Sequence, residues 1–180
     1  MGKKVATKII HTGSSPEKNS GSINIPVYKN STLIFNNYNT FMNAKKSRFD
    51  LPYYGRINTK TTSNLAKIIS TLYKSKFTVL TSSGLSAITL TLKTFLKKND
   101  EVLITENCYE PVFNFAQSEL SKFGVKVTYF SNNCKNLENL IKENTKLIYA
   151  ESPGSLNFEV TDLKKISSLA KKNKIISIID

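Results

Sequence analysis

Residues 147–180, LIYAESPGSLNFEVTDLKKISSLAKKNKIISIID, contain two apolar runs separated by a loop and an amphipathic segment. The runs Leu147–Ala150 and Ile175–Ile179 have the length and composition of strands. Between them, apolar residues recur at helical spacing from about Asp162 to Lys172. Strands without polar alternation are buried on both faces, so this order predicts a β-α-β unit of a parallel sheet covered by helices.

The same alternation of strands and helices extends upstream of residue 147. Short apolar runs predict strands at Val102–Ile104 and Val125–Phe130. Helical spacing predicts three helices: from Gly84 to about Lys97, from Pro111 to about Phe123, and from Leu137 to about Lys142. The fold class is therefore α/β, with a mostly parallel sheet and helices on both of its faces.

Residues 1–61 differ from the rest in composition, since Asn, Ser, Thr and Lys dominate and the segment Gly13–Pro16 is typical of a turn. Their weak periodicity predicts an extended arm, which needs another surface to lie against. From Thr62 to Leu72 apolar residues return at helical spacing, and the run Phe77–Leu80 predicts a buried strand. We therefore divide the chain into an arm, residues 1–61, and an α/β domain, residues 62–180.

Ligands of open α/β sheets collect at the carboxyl ends of the strands, so the residues that follow each strand form the candidate site. Thr81–Leu85 follows one predicted strand and opens a helix, where Gly84 permits close approach and the amides of the first turn can bind an anion. A plain Ser N-cap beside a glycine turn is the alternative, because the segment is neither a GxGxxG nor a Walker sequence.

Three further segments carry aromatic or charged groups. Tyr54-Gly55-Arg56 in the arm offers a phenol and a guanidinium suited to a phosphate dianion, or simply to surface packing. Tyr109 follows the strand at Val102–Ile104, where its ring can stack on a planar heterocycle or only mark a helix entry. Asp180 ends its strand, and its carboxylate suits a pyridinium nitrogen, although strand-end Asp residues are often only helix caps.

Taken together, these segments resemble the fold-type I pyridoxal-phosphate enzymes of cysteine and methionine metabolism over nearly the whole chain, and among them the cystathionine β-lyases. Tyr54-Gly55-Arg56 is similar to the arm motif of that family, and Cys108–Pro111 to its ring-stacking segment. Glu151–Ser155 is similar to the loop before the strand that ends in Asp. The resemblance implies that pyridoxal 5'-phosphate is the cofactor.

The resemblance also implies a role for each candidate residue. The first helical turn would bind the cofactor phosphate, and the two arm residues would reach the phosphate of a neighbouring subunit in a homotetramer. The ring of Tyr109 would stack on the pyridine and assist proton movement, while Asp180 would bond the ring nitrogen and keep it protonated. The implied catalytic residues are Tyr109 and Tyr54, and the implied cofactor-binding residues are Tyr54, Arg56, Gly84, Leu85, Tyr109 and Asp180.

The implied activity is β-elimination of the amino acid cystathionine to homocysteine, pyruvate and ammonia, in methionine biosynthesis. The Schiff-base lysine of the family would lie beyond Asp180, and no lysine present matches its motif, so we expect this stretch alone to be inactive. Cystathionine γ-synthase, cystathionine γ-lyase, methionine γ-lyase and the homoserine-ester sulfhydrylases share the cofactor site and remain alternatives. Tyr109–Pro111 and Ser152–Ser155 favour the β-lyase. A different class of function is a non-catalytic fragment that docks on another subunit.

The formal charge of +13 suggests a third class, a nucleic-acid-binding domain, because basic surfaces displace counterions from phosphate backbones. Arg48 and Arg56 are the only arginines among the 26 basic residues, and no Arg-rich tract or aromatic-basic repeat is present. A generally solvated lysine surface explains the charge better. We therefore expect no nucleic acid as a partner. Because the sequence contains no long apolar run, we expect no membrane partner either.

The remaining features have structural explanations. Cys108 and Cys134 are too few for a disulfide framework, and no long apolar segment follows the basic start Met1–Lys4, which indicates a reduced, cytoplasmic protein. His11 has no partner at ligand spacing, so we expect no metal site. Two carboxylate pairs are assigned to solvated faces: Glu101 with Glu106, and Glu138 with Glu143.

Overall fold

The computed structural model describes residues 4–180, and the first three residues of the predicted arm lie outside the described residues. The chain divides into two compact units, Met1–Leu80 and Thr81–Asp180, which we call the first and second units. The division predicted at residue 61, between an arm that contacts another subunit and an α/β domain, stays a prediction. No helix in the described part of the chain is long and apolar enough to cross a membrane.

The first unit consists of helices joined by irregular segments. Its helices are α1 (Val5–His11), α2 (Tyr38–Lys46) and α3 (Lys60–Tyr73), with a 3-10 turn at Pro16–Lys18. The sequence pattern does not predict α1 and α2, because helices this short show little periodicity. Local capping specifies α2 instead: the Asn37 side chain accepts the N–H of Thr40 at 2.9 Å.

A capping box starts α3. The Thr59 hydroxyl accepts the N–H of Thr62 at 3.2 Å, while the Thr62 hydroxyl accepts the N–H of Thr59 at 2.9 Å. Thr61, in the first turn, ties the preceding chain to this helix, since the N–H of Tyr28 donates to its hydroxyl at 2.8 Å. The predicted helix from Thr62 to Leu72 is thus confirmed, and it begins two residues earlier than predicted.

The predicted strand Phe77–Leu80 is wrong. These residues form no strand and pair with no other segment in the described sheet. Phe77 and Val79 are 73% and 75% exposed, so the run is not buried either. Apolar, β-branched composition indicates that a segment suits a sheet, but a strand forms only where a neighbour supplies the hydrogen bonds.

The second unit is an α/β domain with a fully parallel sheet of four strands in the order β2-β1-β3-β4. The predicted fold class is therefore confirmed. A π-helical segment, Ala116–Leu120, continues the second helix of this unit. In chain order the elements are α4 (Gly84–Phe95), β1 (Glu101–Thr105), α5 (Glu110–Phe115), β2 (Lys126–Phe130), α6 (Leu137–Leu140), β3 (Thr145–Ala150), α7 (Leu163–Asn173) and β4 (Ile176–Ile179).

Side-chain alternation along β1 and β3 divides the core between the two faces of the sheet. Val102 and Tyr149 belong to the apolar cluster with α4 and α5, which includes the fully buried Leu92. Leu103 and Ile148 belong to the opposite cluster with α6 and α7. The two central strands are thus covered on both faces, which explains why their sequences lack polar alternation.

The expectation that Glu101 lies on a solvated face is wrong. Its side chain, at the start of β1, is wholly buried. The hydroxyls of Thr128 and Thr145 donate to its two carboxylate oxygens at 2.8 and 2.9 Å, and the ammonium groups of Lys126 and Lys142 lie at 3.3 and 3.5 Å. Sequence spacing along one strand could not reveal these partners, because they come from the neighbouring strands β2 and β3 and from the segment before β3.

Candidate functional site

The carboxyl ends of β1, β3 and β4 and the amino-terminal end of α4 surround an open cavity of about 390 Å³ in the second unit. Four residues that the sequence analysis selected from separate segments line it: Gly84, Leu85, Tyr109 and Asp180. The other lining residues are Ile88, Glu151, Ser152, Pro153 and Ser155. Parallel strands place all their carboxyl ends at one edge, which is why segments this distant in sequence meet there.

The amino-terminal end of α4 forms one wall of the cavity. Ser83 caps the helix, because its hydroxyl oxygen accepts the N–H of Ser86 at 3.1 Å. The preceding amides, those of Gly84 and Leu85, belong to the first turn and have no intrahelical acceptor. Apart from Gly84 itself, its chain neighbours and the backbone of its own helix, no atom lies within 4 Å of the position that a Cβ would take at Gly84, so this wall is open. Together with the helix dipole, these amides can bind an anion.

Tyr109 stands where β1 ends and α5 begins, with 44% of the residue exposed. Its backbone N–H donates to the Glu151 carboxylate at 2.5 Å. The ring is therefore accessible while its backbone is fixed. An exposed ring on a fixed backbone can cover one face of a planar ligand.

Asp180 is held by the backbone of the neighbouring strand. Its N–H donates to the carbonyl oxygen of Ala150 at 2.9 Å, and its carbonyl oxygen accepts the N–H of Ser152 at 3.2 Å. Its carboxylate accepts a hydrogen bond of 2.8 Å from the hydroxyl of Tyr149. Burial first, and then the hydrogen bond to Asp180 and the charge of that carboxylate, raise the pKa of Tyr149 far above its ordinary value. The phenol therefore stays protonated and acts as the donor.

Glu151 also lines the cavity, although the sequence indicated it only as the first residue of the loop motif Glu151–Ser155. It is 8% exposed, and one carboxylate oxygen accepts the Ser155 hydroxyl while the other accepts the Tyr109 N–H. Its own N–H donates to the Thr105 hydroxyl at 3.2 Å. Glu151 thus joins the segments that follow β1 and β3. Its position directly after an apolar strand was a usable signal, the same one that selected Asp180.

Cys108, between β1 and α5, is buried in the apolar cluster that includes Leu92. Burial, with a smaller contribution from the negative charge of Glu151, raises the pKa of the Cys108 thiol to about 11. A thiol with this pKa is protonated at neutral pH and is a poor nucleophile. This environment agrees with a structural interpretation of Cys108.

Tyr54 and Arg56 lie together in the first unit. The Arg56 guanidinium carbon is 4.9 Å from the centroid of the Tyr54 ring, a cation–π arrangement. Between them, the N–H of Gly55 donates to the Ser31 carbonyl at 2.7 Å, and a Cβ at this position would lie 1.8 Å from the carbonyl oxygen of Asn30. Glycine is therefore required at position 55. The roles of both flanking side chains stay predictions.

Among residues 4–180, no cluster of His, Cys, Asp and Glu side chains has the geometry to hold a metal ion. The chemistry available at the cavity consists instead of helix amides, an aromatic ring, an oriented carboxylate and the Glu151 network.

Comparison with known proteins gives a consistent result. A Saccharomyces cerevisiae protein provisionally named cystathionine beta-lyase is 36% identical over 177 residues, which are 98% of this chain and 51% of that protein. The L-alanine/L-glutamate racemase of Wolbachia pipientis wMel is 33% identical over 96% of this chain and 45% of the racemase. The chain thus spans about half the length of the curated relatives it matches.

A solved structure shows the same fold. A Campylobacter jejuni protein provisionally named O-acetylhomoserine (thiol)-lyase has a TM-score of 0.88 and 26% identity, over 99% of this chain and 44% of that one. That structure contains N'-pyridoxyl-lysine-5'-monophosphate. The family model described as Cys/Met metabolism PLP-dependent enzyme matches residues 6–180. The resemblance seen in the sequence is confirmed, and the chain belongs to the family of Cys/Met metabolism PLP-dependent enzymes.

Proposed function

We propose that the cavity of the second unit binds pyridoxal 5'-phosphate through Gly84, Leu85, Tyr109 and Asp180. The observation that carries this proposal is the meeting, at one cavity, of a helix amino terminus, an exposed aromatic ring and an oriented carboxylate. The three groups match the anionic phosphate, the planar ring and the basic ring nitrogen of the cofactor. The cavity volume, about 390 Å³, also suits a small ligand.

Each group has a distinct task in this proposal. Pyridoxal phosphate, when bound, supplies an electron sink for a carbanion at the substrate Cα. The amides of Gly84 and Leu85 stabilise the phosphate, and the ring of Tyr109 covers the pyridine plane. The carboxylate of Asp180 keeps a proton on the ring nitrogen, because an adjacent negative charge favours the protonated form. Tyr109 and Tyr54 are the proposed proton-transfer residues.

We further propose that Tyr54 and Arg56 reach the cofactor phosphate of a neighbouring subunit, in a homotetramer. The exposure of apolar side chains in the first unit supports a contact of this kind. Among its described residues, Ala44 is the only buried apolar side chain, whereas Ile23, Val27 and Ile34 are at least 79% exposed. A unit with so little core of its own gains stability by covering its apolar side chains against another surface.

The reaction that we propose for the whole protein is β-elimination of cystathionine. Cleavage of the Cβ–S bond releases homocysteine, and hydrolysis of the remaining three-carbon product gives pyruvate and ammonia. The relative from Saccharomyces cerevisiae and the loop Glu151–Ser155, which lines the cavity, support this choice. The proposed setting is methionine biosynthesis in the cytoplasm.

A second candidate is amino-acid racemisation, favoured by the identity to the Wolbachia racemase. Both reactions begin with removal of the substrate Cα proton, and only the lyase reaction breaks a carbon–sulfur bond. The protein isolated from its native cells distinguishes them. Release of homocysteine and pyruvate from cystathionine supports the lyase, whereas inversion of L-alanine without thiol release supports the racemase.

Cofactor binding is tested by titrating the chain with pyridoxal phosphate and following the cofactor absorbance. Asp180→Asn should weaken binding by about tenfold to a hundredfold, because a charge-assisted hydrogen bond contributes about 1.5–3 kcal/mol. Asp50→Asn is the matched control, since Asp50 is exposed and belongs to the first unit. Equal affinities of the two variants would refute the proposed role of Asp180.

The shared site is tested by mixing two variants that each bind the cofactor weakly. Arg56→Ala removes the proposed contribution of one subunit and Asp180→Asn that of the other. Mixed oligomers should regain part of the cofactor binding, because some of their sites combine an intact Arg56 with an intact Asp180. If mixing restores nothing although the oligomers exchange subunits, each site is built from one chain.

A further inference from the structure

We infer that Tyr149 is a positioning residue for Asp180, holding one oxygen of that carboxylate so that the other is presented to the ring nitrogen of the ligand. The inference rests on the proposed function of the cavity. It concerns a residue near the end of β3, within the run Leu147–Ala150 that the sequence predicts to be a buried strand.

The sheet register explains how the two side chains meet. Tyr149 of β3 pairs with Ile178 of β4. Asp180 lies two residues farther toward the carboxyl edge, and side chains two residues apart point to the same face. The long phenol therefore spans the step from the core to the edge, where its hydroxyl reaches the Asp180 carboxylate at 2.8 Å.

The environment of Tyr149 fixes both the position of its ring and its role as the hydrogen-bond donor. The residue is wholly buried and packs in the cluster with α4 and α5, so its ring has little freedom to move. An ionised carboxylate can only accept hydrogen bonds, so the phenol must be the donor. The bond therefore fixes the rotation of the Asp180 carboxylate from below, while its backbone is fixed by β3.

A purely structural explanation makes a different claim. Tyrosine would then be present because its ring fills the core, and its hydroxyl would donate to the nearest acceptor without affecting the ligand. Phenylalanine separates the two explanations, since it keeps the ring and removes only the hydroxyl. If the hydroxyl acts through Asp180, its removal matters only where position 180 carries a carboxylate.

Tyr129 offers a matched control within the same sheet. Tyr129 of β2 and Tyr149 of β3 both pair with Ile104 of the central strand β1, one on each side. The Tyr129 hydroxyl accepts a hydrogen bond of 3.1 Å from Gln117 and lies outside the set of residues that line the cavity. Tyr129→Phe thus removes a tyrosine hydroxyl at the same level of the sheet without touching the proposed site.

The experiment is a cycle of four proteins: the parent chain, Tyr149→Phe, Asp180→Asn and the double variant, each titrated with pyridoxal phosphate. Tyr149→Phe should raise the dissociation constant about threefold to tenfold, the range of a typical hydrogen bond. In the Asp180→Asn background the same change should shift it by less than about twofold. Tyr129→Phe should leave it unchanged. Equal effects in both backgrounds, or no effect in the parent, would overturn the inference.

A second measurement without cofactor keeps the inference separate from the proposed function. The urea midpoints of the same four proteins report whether the two side chains are coupled in the free chain. If the parent binds no pyridoxal phosphate, the proposed function fails, and the midpoints then decide the inference. Midpoint shifts that add would overturn it, and shifts that do not add would support the Tyr149–Asp180 contact.

Discussion

Replacing Glu101 by glutamine should destabilise the second unit more than any surface carboxylate substitution. The Glu101 carboxylate is wholly buried and is met by two hydroxyl donors and two ammonium groups. Glutamine keeps the shape and one acceptor oxygen, and its amide can donate to a threonine hydroxyl. The substitution therefore removes mainly the charge and the bonds that depend on it.

The magnitude follows from these contacts. Hydrogen bonds to a charged acceptor contribute about 1.5–3 kcal/mol, and part of this is kept by the amide. The side chains of Lys126 and Lys142 are 56% and 50% exposed, so solvent screens their attraction to Glu101. We expect the free energy of unfolding at pH 7 to fall by about 1–3 kcal/mol.

The pH dependence gives an independent signature. Burial alone raises the pKa of Glu101, but the hydrogen bonds from Thr128, Thr145 and Lys126 outweigh it, and the pKa is lowered. A lowered pKa in the folded state means that the stabilisation is complete above the unfolded value, about 4.3, and is lost as the pH falls through the folded value. The difference between Glu101→Gln and the parent should therefore shrink as the pH is lowered from 7 to 3.

Urea unfolding followed by circular dichroism at several pH values measures both effects. Glu119→Gln is the control, because Glu119 forms an exposed pair with Lys122 at 3.7 Å and should contribute little. A Glu101→Gln variant as stable as this control at pH 7 would refute the reasoning. A difference from the parent that stays constant between pH 7 and 3 would show that the charge is not its source.

Three other predictions concern packing and reactivity. Leu92→Ala, at a fully buried position in α4, should lower the free energy of unfolding by about 2–5 kcal/mol, whereas Leu90→Ala on the exposed face of the same helix should change it little in the same urea titration. Because the pKa of Cys108 is raised to about 11, its alkylation by iodoacetamide in the native state should be slow at pH 8 and accelerate toward pH 11; rapid native-state labelling at pH 8 would contradict this. Gly55→Ala should loosen the first unit, because the added Cβ meets the carbonyl oxygen of Asn30 at 1.8 Å. Gly84→Ala should leave the fold intact, because the added Cβ meets no atom within 4 Å beyond its chain neighbours and its own helix. Limited proteolysis compares the two variants.

Most of the second unit was predictable from local patterns. The runs at Val102–Ile104 and Leu147–Ala150 are strands because both their faces are apolar, and the helix from Gly84 begins at the expected serine cap. The residues after these strands meet at the cavity because parallel strands share a carboxyl edge. Helices α1 and α2 were not predictable in this way, since short polar helices depend on caps and contacts more than on periodicity.

The amino-acid sequence by itself determined the α/β class, the family, and four residues that line one cavity, because periodicity, strand ends and motifs are properties of adjacent residues. Only the tertiary structure decided which apolar runs form strands, which carboxylates are buried and which side chains meet. It left Phe77–Leu80 without a strand partner, buried Glu101 under donors from β2 and β3, and brought the Tyr149 hydroxyl to Asp180. Each of these outcomes depends on which distant segment lies alongside, and that is set by strand order and register.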